Sequence, residues 1–265
     1  MKIAGKTIWI TGASSGIGES LSIEAVKKGA YVILSARNIS KLENLQQRLE
    51  KISPGSATII PMDVTKKEDI EKSVETVTKT HERIDILINN AGVSQRSLVA
   101  ETPVEVDRKI LETDFFGAVT LTKALLPYMI KQGGGHLVAI SSMAGLYGFP
   151  MRSAYSAAKH ALQGFFETAA LELWNDNIRV TLVYPGRVST DITLYCLDKD
   201  GKPYGIMDPG QVKGIPVEVC AKRIIRAVER NKKKLQMGTG EVFLYYMKKF
   251  IPPVFYLIAR KTSPI

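Results

Sequence analysis

The chain has 265 residues, a length that fits one large α/β domain, and 45% of them are hydrophobic, which is enough for a sizeable core. Lysine and arginine number 36 against 26 acidic residues, so the formal charge is +10 and the surface attracts anions. Cys196 and Cys220 are too few for a disulfide scaffold, and the three histidines lack metal-ligand spacing, so we expect free thiols and no metal.

No stretch of the sequence reaches the roughly 18 apolar residues that a membrane span requires. Residues 1–10 run directly into a strand pattern, without the charged and apolar sections of an export signal, so we expect a cytoplasmic protein. The densest basic cluster, Lys222–Lys234, falls on a predicted amphipathic helix, where a solvated face explains it best. No motif supports binding to nucleic acid, and we expect none.

Strand patterns and helix patterns alternate along the chain. The apolar runs that predict strands are Thr7–Ile10, Tyr31–Leu34, Ile59–Ile60, Ile84–Ile88, Leu137–Ile140 and Val180–Val183, with Glu241–Leu244 as a candidate seventh. Helices are predicted after the first strand, at two capping boxes (Ser40 with Glu43, Thr65 with Glu68), from Thr102-Pro103 to Lys131, over Ser153–Trp174 and over Pro216–Arg230. This alternation predicts one Rossmann-type, doubly wound α/β domain. Its parallel sheet has about seven strands, with helices on both faces, and binds ligands beyond the carboxyl ends of the strands.

A glycine-rich turn, Thr11-Gly12-Ala13-Ser14-Ser15-Gly16-Ile17-Gly18, follows the first predicted strand. Gly12 permits a tight turn, Gly16 lets the backbone approach a pyrophosphate, and Gly18 lets helix and strand pack closely. The helix N-terminus adds free amides and the positive end of its dipole. Three glycines at this place favour a dinucleotide site over an ordinary turn between strand and helix.

The spacing Gly-x-x-x-Gly-x-Gly, together with Asn89-Asn90-Ala91-Gly92 and Tyr155-Ser156-Ala157-Ala158-Lys159, resembles the short-chain dehydrogenase/reductase family from Lys6 to about Arg230. The resemblance implies an oxidoreductase that moves hydride between a nicotinamide and a carbonyl compound or secondary alcohol. It implies a cofactor site that comprises Gly12, Ser14, Ser15, Gly16, Ile17, Gly18, Arg37, Asp63, Val64, Asn90, Ala91, Gly92, Tyr155, Lys159, Pro185, Gly186, Val188 and Thr190. Asp63 and Val64 would meet the adenine ring, Asn90 the ribose side, and the loop from Pro185 to Thr190 the nicotinamide.

The end of the second predicted strand indicates which cofactor is used. An NAD enzyme usually carries an acidic residue there, which holds the ribose hydroxyls. This chain reads Leu34-Ser35-Ala36-Arg37-Asn38, so no carboxylate repels a phosphate, and the Arg37 guanidinium can pair with one through forked hydrogen bonds. We therefore predict NADP(H), with a plain surface arginine as the alternative for Arg37.

Tyr155 and Lys159 lie four residues apart, so they share one face of a predicted helix. An ammonium beside a phenol stabilises the phenolate, which lets the hydroxyl exchange protons with a substrate oxygen more readily near neutral pH. By the resemblance, Lys159 would also hold the ribose hydroxyls. Ser142, thirteen residues before Tyr155, would hydrogen-bond the substrate oxygen, with Ser141 as its structural neighbour.

The sequence departs from the family pattern at Asp114, where the family usually has an asparagine that helps to hold a water in a proton path to the lysine. Aspartate can also hold a water, but it adds a negative charge. Asp114 therefore has two interpretations, a proton-relay residue in altered form or a helix residue with no proton role.

We expect residues 1–240 to form the catalytic domain, with a substrate loop at about 191–215 and an apolar extension over 241–265. Gly201–Asp208 loosely resembles a subgroup of membrane-associated steroid, retinoid and acyl-dihydroxyacetone-phosphate reductases, a resemblance that names no substrate. Val242–Ile258 has three interpretations: a subunit contact, a flap over the active site, or a peripheral membrane contact with basic flanks.

The leading function is thus an NADPH-dependent oxidoreductase that acts on a small, mostly apolar carbonyl substrate or alcohol. The alternative is a catalytically weak, cofactor-binding regulatory protein, which Asp114 keeps open. The family resemblance also implies a homodimer or a homotetramer.

Overall fold

The structure is a computed structural model that describes residues 2–238 and 240–261. Its strands are β1 (Thr7–Thr11), β2 (Tyr31–Ser35), β3 (Ala57–Ile59), β4 (Ile86–Asn89), β5 (Gly135–Ile140), β6 (Ile178–Pro185), β7 (Val188–Ser189), β8 (Ile215–Pro216) and β9 (Lys234–Met237). Seven of them form one parallel sheet in the order β3-β2-β1-β4-β5-β6-β9, and β7 pairs separately with β8. The predicted Rossmann-type α/β fold is therefore confirmed.

The helices are α1 (Gly16–Lys27), α2 (Ile39–Glu50), α3 (Lys67–Thr80), α4 (Val104–Leu111), α5 (Gly117–Lys131), α6 (Ser153–Glu172), α7 (Pro209–Val212), α8 (Val217–Glu229), α9 (Gly240–Phe250) and α10 (Pro252–Lys261). Alternate side chains of β1 pack against different helices, because successive residues of a strand point to opposite faces. Ile8 and Ile10 join a core with α1, α2 and α8, while Trp9 joins a second core with α3, α5 and α6. The sheet is therefore covered on both faces.

The strand order reverses between β1 and β4, which are neighbours in the sheet and are separated by β2 and β3 in sequence. The connections on either side of that point lead away from each other, so they leave a crevice at the carboxyl ends of the strands. The glycine turn follows β1, and Asn90-Ala91-Gly92 follows β4. The two motifs therefore meet at the crevice.

The last strand of the sheet differs from the sequence prediction. Glu241–Leu244 lies in α9, so its assignment as a strand was wrong, and the seventh strand is β9. The β9 sequence, Lys-Leu-Gln-Met, begins with an exposed lysine and only its last residue is buried, because it forms the edge of the sheet beside β6. An edge strand this polar lacks the apolar run that identifies a central strand.

Both predicted capping boxes were wrong. α2 begins at Ile39, because the Asn38 side chain accepts a hydrogen bond from the Lys41 amide, 3.0 Å away. α3 begins at Lys67, and Thr65 instead donates its amide and hydroxyl to the Asp63 carboxylate. Asn38 therefore caps α2 in place of Ser40, and the Asp63 contact occupies the Thr65 hydroxyl that was predicted to cap α3.

The long helix predicted after Pro103 reaches Lys131, but it is interrupted. α4 and α5 are joined by a π-helical turn over Glu112–Phe116, which widens the helix by one residue and directs Asp114 inward. Gly117 follows at a close approach, since a Cβ there would lie 2.8 Å from the Val64 carbonyl oxygen. This packing fixes the π-helical turn beside the end of β3.

The C-terminal helices α9 and α10 pack on each other and on the core beneath β6. Phe255 is buried against Tyr147, with ring centroids 5.6 Å apart. Their outer face exposes large apolar side chains, which are Phe243, Tyr246, Phe250, Ile251, Val254, Tyr256, Leu257 and Ile258. No helix of residues 2–238 and 240–261 has both the length and the apolar character needed to cross a membrane.

Candidate active site

A cavity of about 680 Å³ opens at the carboxyl ends of the strands, within the size range of small-molecule sites. It brings together nearly all the predicted site residues. Those that line it are Gly12, Ser14, Ser15, Gly16, Ile17, Arg37, Asp63, Val64, Asn90, Ala91, Gly92, Asp114, Ser142, Tyr155, Lys159, Pro185, Gly186, Val188 and Thr190. Gly18 lies beneath the lining, where a Cβ would come within 2.2 Å of the Gly12 carbonyl oxygen.

The glycine turn is held in shape by the segment after β4. Gly12 and Gly16 have φ angles of +64° and +55°, which favour glycine. The Asn90 side-chain amide donates to the carbonyl oxygens of Thr11 (2.9 Å) and Gly12 (3.2 Å), and the Thr11 hydroxyl accepts from the Asn90 and Ala91 amides. Asn90 thus braces the turn, while its predicted contact with a ribose stays a prediction.

One end of the cavity is basic. Arg37 is exposed there, and within the described ranges no carboxylate lies within 4.0 Å of its guanidinium. Lys41, which sequence reasoning missed, lines the same end one turn into α2. The predicted adenine residues Asp63 and Val64 lie nearby in the lining. This end can therefore accept a group with negative charge.

Tyr155 and Lys159 lie on the first turns of α6, both buried, with the Lys159 ammonium 5.6 Å from the centre of the Tyr155 ring. Gln95, fully buried, fixes the start of α6, because its side-chain oxygen accepts from the amides of Ala154 (2.8 Å) and Tyr155 (3.3 Å). Sequence reasoning missed Gln95, which lies sixty residues from its partners. The helix start is thus positioned by a side chain rather than by its own cap.

The Lys159 ammonium lies 3.0 Å from Asp114 Oδ2 and donates to the Ile140 carbonyl oxygen at 3.1 Å. Asp114 Oδ1 accepts from the Val93 amide at 2.6 Å. Burial raises the pKa of Asp114, against the opposing charge of Lys159 and the Val93 hydrogen bond. Burial alone would lower the pKa of Lys159, but the charge of Asp114 raises it above its ordinary value. The two groups form a buried ion pair on the cavity wall.

Ser142 lies at the end of β5, half-buried in the cavity lining. Its hydroxyl accepts from the Ala144 amide at 3.1 Å and donates to the Pro185 carbonyl oxygen across 3.5 Å. The long donor contact leaves the proton free to turn toward a ligand. Ser141 instead donates to the Lys159 carbonyl oxygen, so it connects β5 to α6, as expected for a structural neighbour.

The loop after β6 lies against both the glycine turn and the C-terminal helices. The Thr190 methyl group would be 3.3 Å from a Cβ at Gly16. The Arg187 amide donates to Glu241 Oε1 at 3.1 Å, and the Tyr147 hydroxyl donates to the Glu241 carbonyl oxygen at 3.3 Å. Glu241 also lines the cavity. The inner end of α9 is therefore part of the cavity wall, although sequence analysis left the contact of this segment open.

The residues fit a dinucleotide. The cavity joins a glycine turn that a side chain would fill, the N-terminus of α1 and a basic end, which are the features that a pyrophosphate and its ribose groups need. Within residues 2–238 and 240–261, no group of three or more His, Cys, Asp or Glu is placed to hold a metal. Cys196 and Cys220 are buried free thiols.

The sequence pattern of the short chain dehydrogenase family matches residues 6–200. The chain therefore belongs to the short-chain dehydrogenase family, and it is an oxidoreductase of the kind that uses a nicotinamide dinucleotide. The family resemblance seen in its motifs is thereby confirmed.

Individual relatives carry the likeness across nearly the whole chain. A Drosophila melanogaster protein named dehydrogenase/reductase SDR family protein 7-like is 38% identical over 266 residues, which cover 99% of this chain and 82% of that protein. A solved structure of ElxO with NADP bound is 26% identical with a TM-score of 0.78, covering 90% of this chain and 99% of that one. A Burkholderia phymatum short-chain dehydrogenase in complex with NAD is 18% identical with a TM-score of 0.84, covering 100% and 98%, and it shares the fold.

Proposed function

We propose that this protein is an NADP(H)-dependent oxidoreductase that interconverts a ketone or aldehyde and the corresponding alcohol, with Tyr155 as the general acid and base. One observation carries the proposal. Tyr155, Ser142 and the Lys159–Asp114 pair lie on the wall of the same cavity as the glycine turn. A substrate oxygen between the two hydroxyls would face a cofactor bound along that turn.

For carbonyl reduction, a nicotinamide held along the glycine turn would supply the hydride that the carbonyl carbon needs. The Tyr155 hydroxyl donates its proton to the carbonyl oxygen as negative charge develops there. Ser142 turns its proton from the distant Pro185 oxygen toward the same substrate oxygen and stabilises that charge. Lys159, held by Asp114 and Ile140, keeps a positive charge beside the phenolate that remains. In alcohol oxidation Tyr155 takes the proton back.

The basic end of the cavity supports NADP(H) over NAD(H). Arg37 and Lys41 line it, and Asn38 occupies the place after Arg37 where a carboxylate would repel a phosphate. A guanidinium without a carboxylate partner binds a phosphate through charge-assisted hydrogen bonds. The named neighbours include one protein with NADP and one with NAD, so the preference depends on these side chains.

Turnover by a Tyr155→Phe variant tests the proposal against the alternative of a regulatory protein with weak catalysis. NADPH oxidation is measured against a panel of ketones and aldehydes that includes long-chain and steroid members. We expect the variant to lose about 10²- to 10⁴-fold in kcat while it still binds NADPH. The matched control is Tyr256→Phe, an exposed tyrosine on α10. Equal turnover by Tyr155→Phe and wild type would refute the role of Tyr155.

The contacts of the outer face stay predictions. A peripheral membrane contact through α9 and α10, and a homodimer or homotetramer, are each compatible with their exposed apolar side chains. Sedimentation with anionic vesicles, and the mass of the protein in solution by light scattering, separate the two. The division of the chain at residue 240 into a catalytic domain and an extension also stays a prediction.

A further inference from the structure

Two arginines lie in the cavity wall near Tyr155, outside the cofactor and catalytic residues described above. Arg152 is three residues before Tyr155, at the start of α6, and Arg96 follows the segment after β4. The Arg96 amide donates to the Leu197 carbonyl oxygen, and the Leu197 amide donates to Ser94. These backbone bonds attach the predicted substrate loop to the arginine-bearing segment. The two guanidiniums therefore lie in the cavity wall beside the predicted substrate loop.

The arginines have one carboxylate between them. Arg96 Nη1 lies 3.0 Å from Asp208 Oδ2, in a pair that is more than nine-tenths buried. Burial works to raise the pKa of Asp208, but the Gly210 amide and the Arg96 charge outweigh it and hold that pKa below its ordinary value. Asp208 therefore stays ionised and neutralises one arginine. It also faces Arg187, whose guanidinium packs against Gly210.

Arg152 is left without a counter-ion. Its guanidinium donates to the Ser94 hydroxyl, and in the part of the chain that the structure describes no carboxylate lies within 4.0 Å of it. Burial lowers the pKa of Arg152, and the neighbouring charge of Arg96 adds to that effect, while Tyr155, Cys196 and the more distant charge of Asp208 oppose it. The cluster of Arg96, Arg152 and Asp208 thus carries one net positive charge in a partly enclosed place.

A second observation points to a ligand at the same place. The side chain of Arg96 is only 6% exposed, and its buried Nε has no hydrogen-bond partner among the described residues. The Arg96 guanidinium also lies over the ring of Tyr204, and its carbon is 5.7 Å from the ring centre. This contact holds the guanidinium in position. A buried donor without a partner is unfavourable, so such a group in a folded protein calls for a functional explanation.

We propose that Arg152 and Arg96 bind a carboxylate on the substrate, so that the protein acts on carbonyl compounds or alcohols that also carry a carboxylate. This inference rests on the proposed function. A carboxylate would supply the missing counter-charge through the geometry that guanidinium groups favour. Apolar side chains complete this end of the cavity, including Phe149, Leu197 and Pro203, so the rest of the substrate is apolar. Arg152 and Arg96 are specificity-determining residues for the reaction at Tyr155.

The test compares matched substrates at pH 7. Each set holds three ketones that differ in one group, which is a carboxylate, a neutral amide or a primary amine. Successive sets place that group further from the carbonyl. The full-length protein with NADPH is assayed for kcat/KM, in wild type, Arg152→Gln and Arg152→Lys. The control is Arg108→Gln, an exposed arginine on α4 outside the cavity lining.

We expect wild type and Arg108→Gln to favour the acid over the amide by about 10- to 100-fold, the effect of a charge-assisted hydrogen bond. Arg152→Gln should abolish that preference through a higher KM for the acid, and Arg152→Lys should restore part of it. Should Arg152→Gln fail to fold by circular dichroism, Arg152→Lys and the wild-type preference decide.

Equal kcat/KM for acid and amide in wild type would overturn the inference and leave the proposed function standing. An acid preference that survives in Arg152→Gln would overturn the assignment to these arginines. No turnover of any carbonyl compound with NADPH or NADH would instead refute the proposed function, and this inference with it.

Discussion

The ammonium nitrogen of Lys159 lies 3.0 Å from the carboxylate oxygen Oδ2 of Asp114, and both side chains are almost completely enclosed by protein. The positive charge beside Tyr155 is therefore balanced by a negative charge one side chain further away. Neither charge is exposed to bulk water, so each depends strongly on the other. This pair decides the pH range over which the lysine stays protonated.

Asp114→Asn should move the alkaline limb of the pH–rate profile to lower pH, by about one unit or more. The carboxylate raises the pKa of Lys159, and without it burial favours the neutral amine. The measurement is kcat/KM for a carbonyl substrate across the pH range. Glu112→Gln is the control, an exposed acid in the same π-helical turn. Identical profiles for Asp114→Asn and wild type would remove Asp114 from the mechanism.

Arg37→Ala should weaken NADPH binding by about tenfold or more and leave NADH binding nearly unchanged, because only NADPH carries the phosphate that the guanidinium would hold. The measurement is the dissociation constant of each cofactor by fluorescence titration. Arg48→Ala, an exposed arginine on α2 outside the cavity lining, serves as the control. An undiminished preference for NADPH would contradict the assignment of Arg37.

Gly18→Ala should destabilise the protein by about 2 kcal/mol or more and abolish binding of either cofactor. A Cβ at Gly18 would lie 2.2 Å from the Gly12 carbonyl oxygen and 2.5 Å from the Asn90 side chain, so the glycine turn must shift. Gly164→Ala is the matched control, since no atom lies within 4 Å of its Cβ position in α6. That substitution should stabilise the helix by about 0.5–1 kcal/mol. Urea unfolding measures the stability of both variants, and the fluorescence titration used for Arg37→Ala measures their cofactor binding. Unimpaired binding in Gly18→Ala would exclude the turn as the cofactor site.

His136 should make the protein less stable as the pH falls. Burial lowers the pKa of this imidazole from 6.5 to about 4, assisted by the charge of Arg179. The unfolded chain therefore takes up a proton first, so the contribution is complete above about pH 6.5 and is lost as the pH falls toward 4. The loss is roughly 3 kcal/mol.

The free energy of unfolding of wild type and His136→Gln, measured in urea at pH 7 and pH 4.5, checks this expectation. The variant should show the smaller decrease, whereas the exposed His160→Gln should behave as wild type does. Equal decreases in wild type and His136→Gln would show that His136 does not titrate in this way.

The central sheet and the motifs that line the cavity could be predicted because their signals are local. Buried parallel strands such as β1 and β4 are short apolar runs, and the motifs after them are contiguous in sequence. The edge strand β9 could not be recognised, because its polar residues resemble a turn. Two helix starts were displaced, because Asn38 caps α2 in place of Ser40 and the Thr65 hydroxyl donates to Asp63 instead of capping α3.

The substrate end of the cavity was not predictable, because its contacts join distant parts of the chain. Arg96 and Asp208 are 112 residues apart, and Gln95 reaches Tyr155 across 60. Neither pairing repeats with a helix or strand period, so neither leaves a local pattern. The π-helical turn that directs Asp114 inward is similarly absent from the hydrophobic periodicity.

Glu241 connects the C-terminal helices to the cavity wall through hydrogen bonds. Its side chain accepts a hydrogen bond from the Arg187 amide in the loop after β6, while its carbonyl oxygen accepts one from the Tyr147 hydroxyl. Deleting α9 would thus disturb turnover even if the outer face docked on nothing at all. A test of whether the outer face binds a membrane or a second subunit should therefore keep α9 and replace single exposed side chains, as in Phe243→Ser. Loss of that binding is then not confused with movement of the loop after β6.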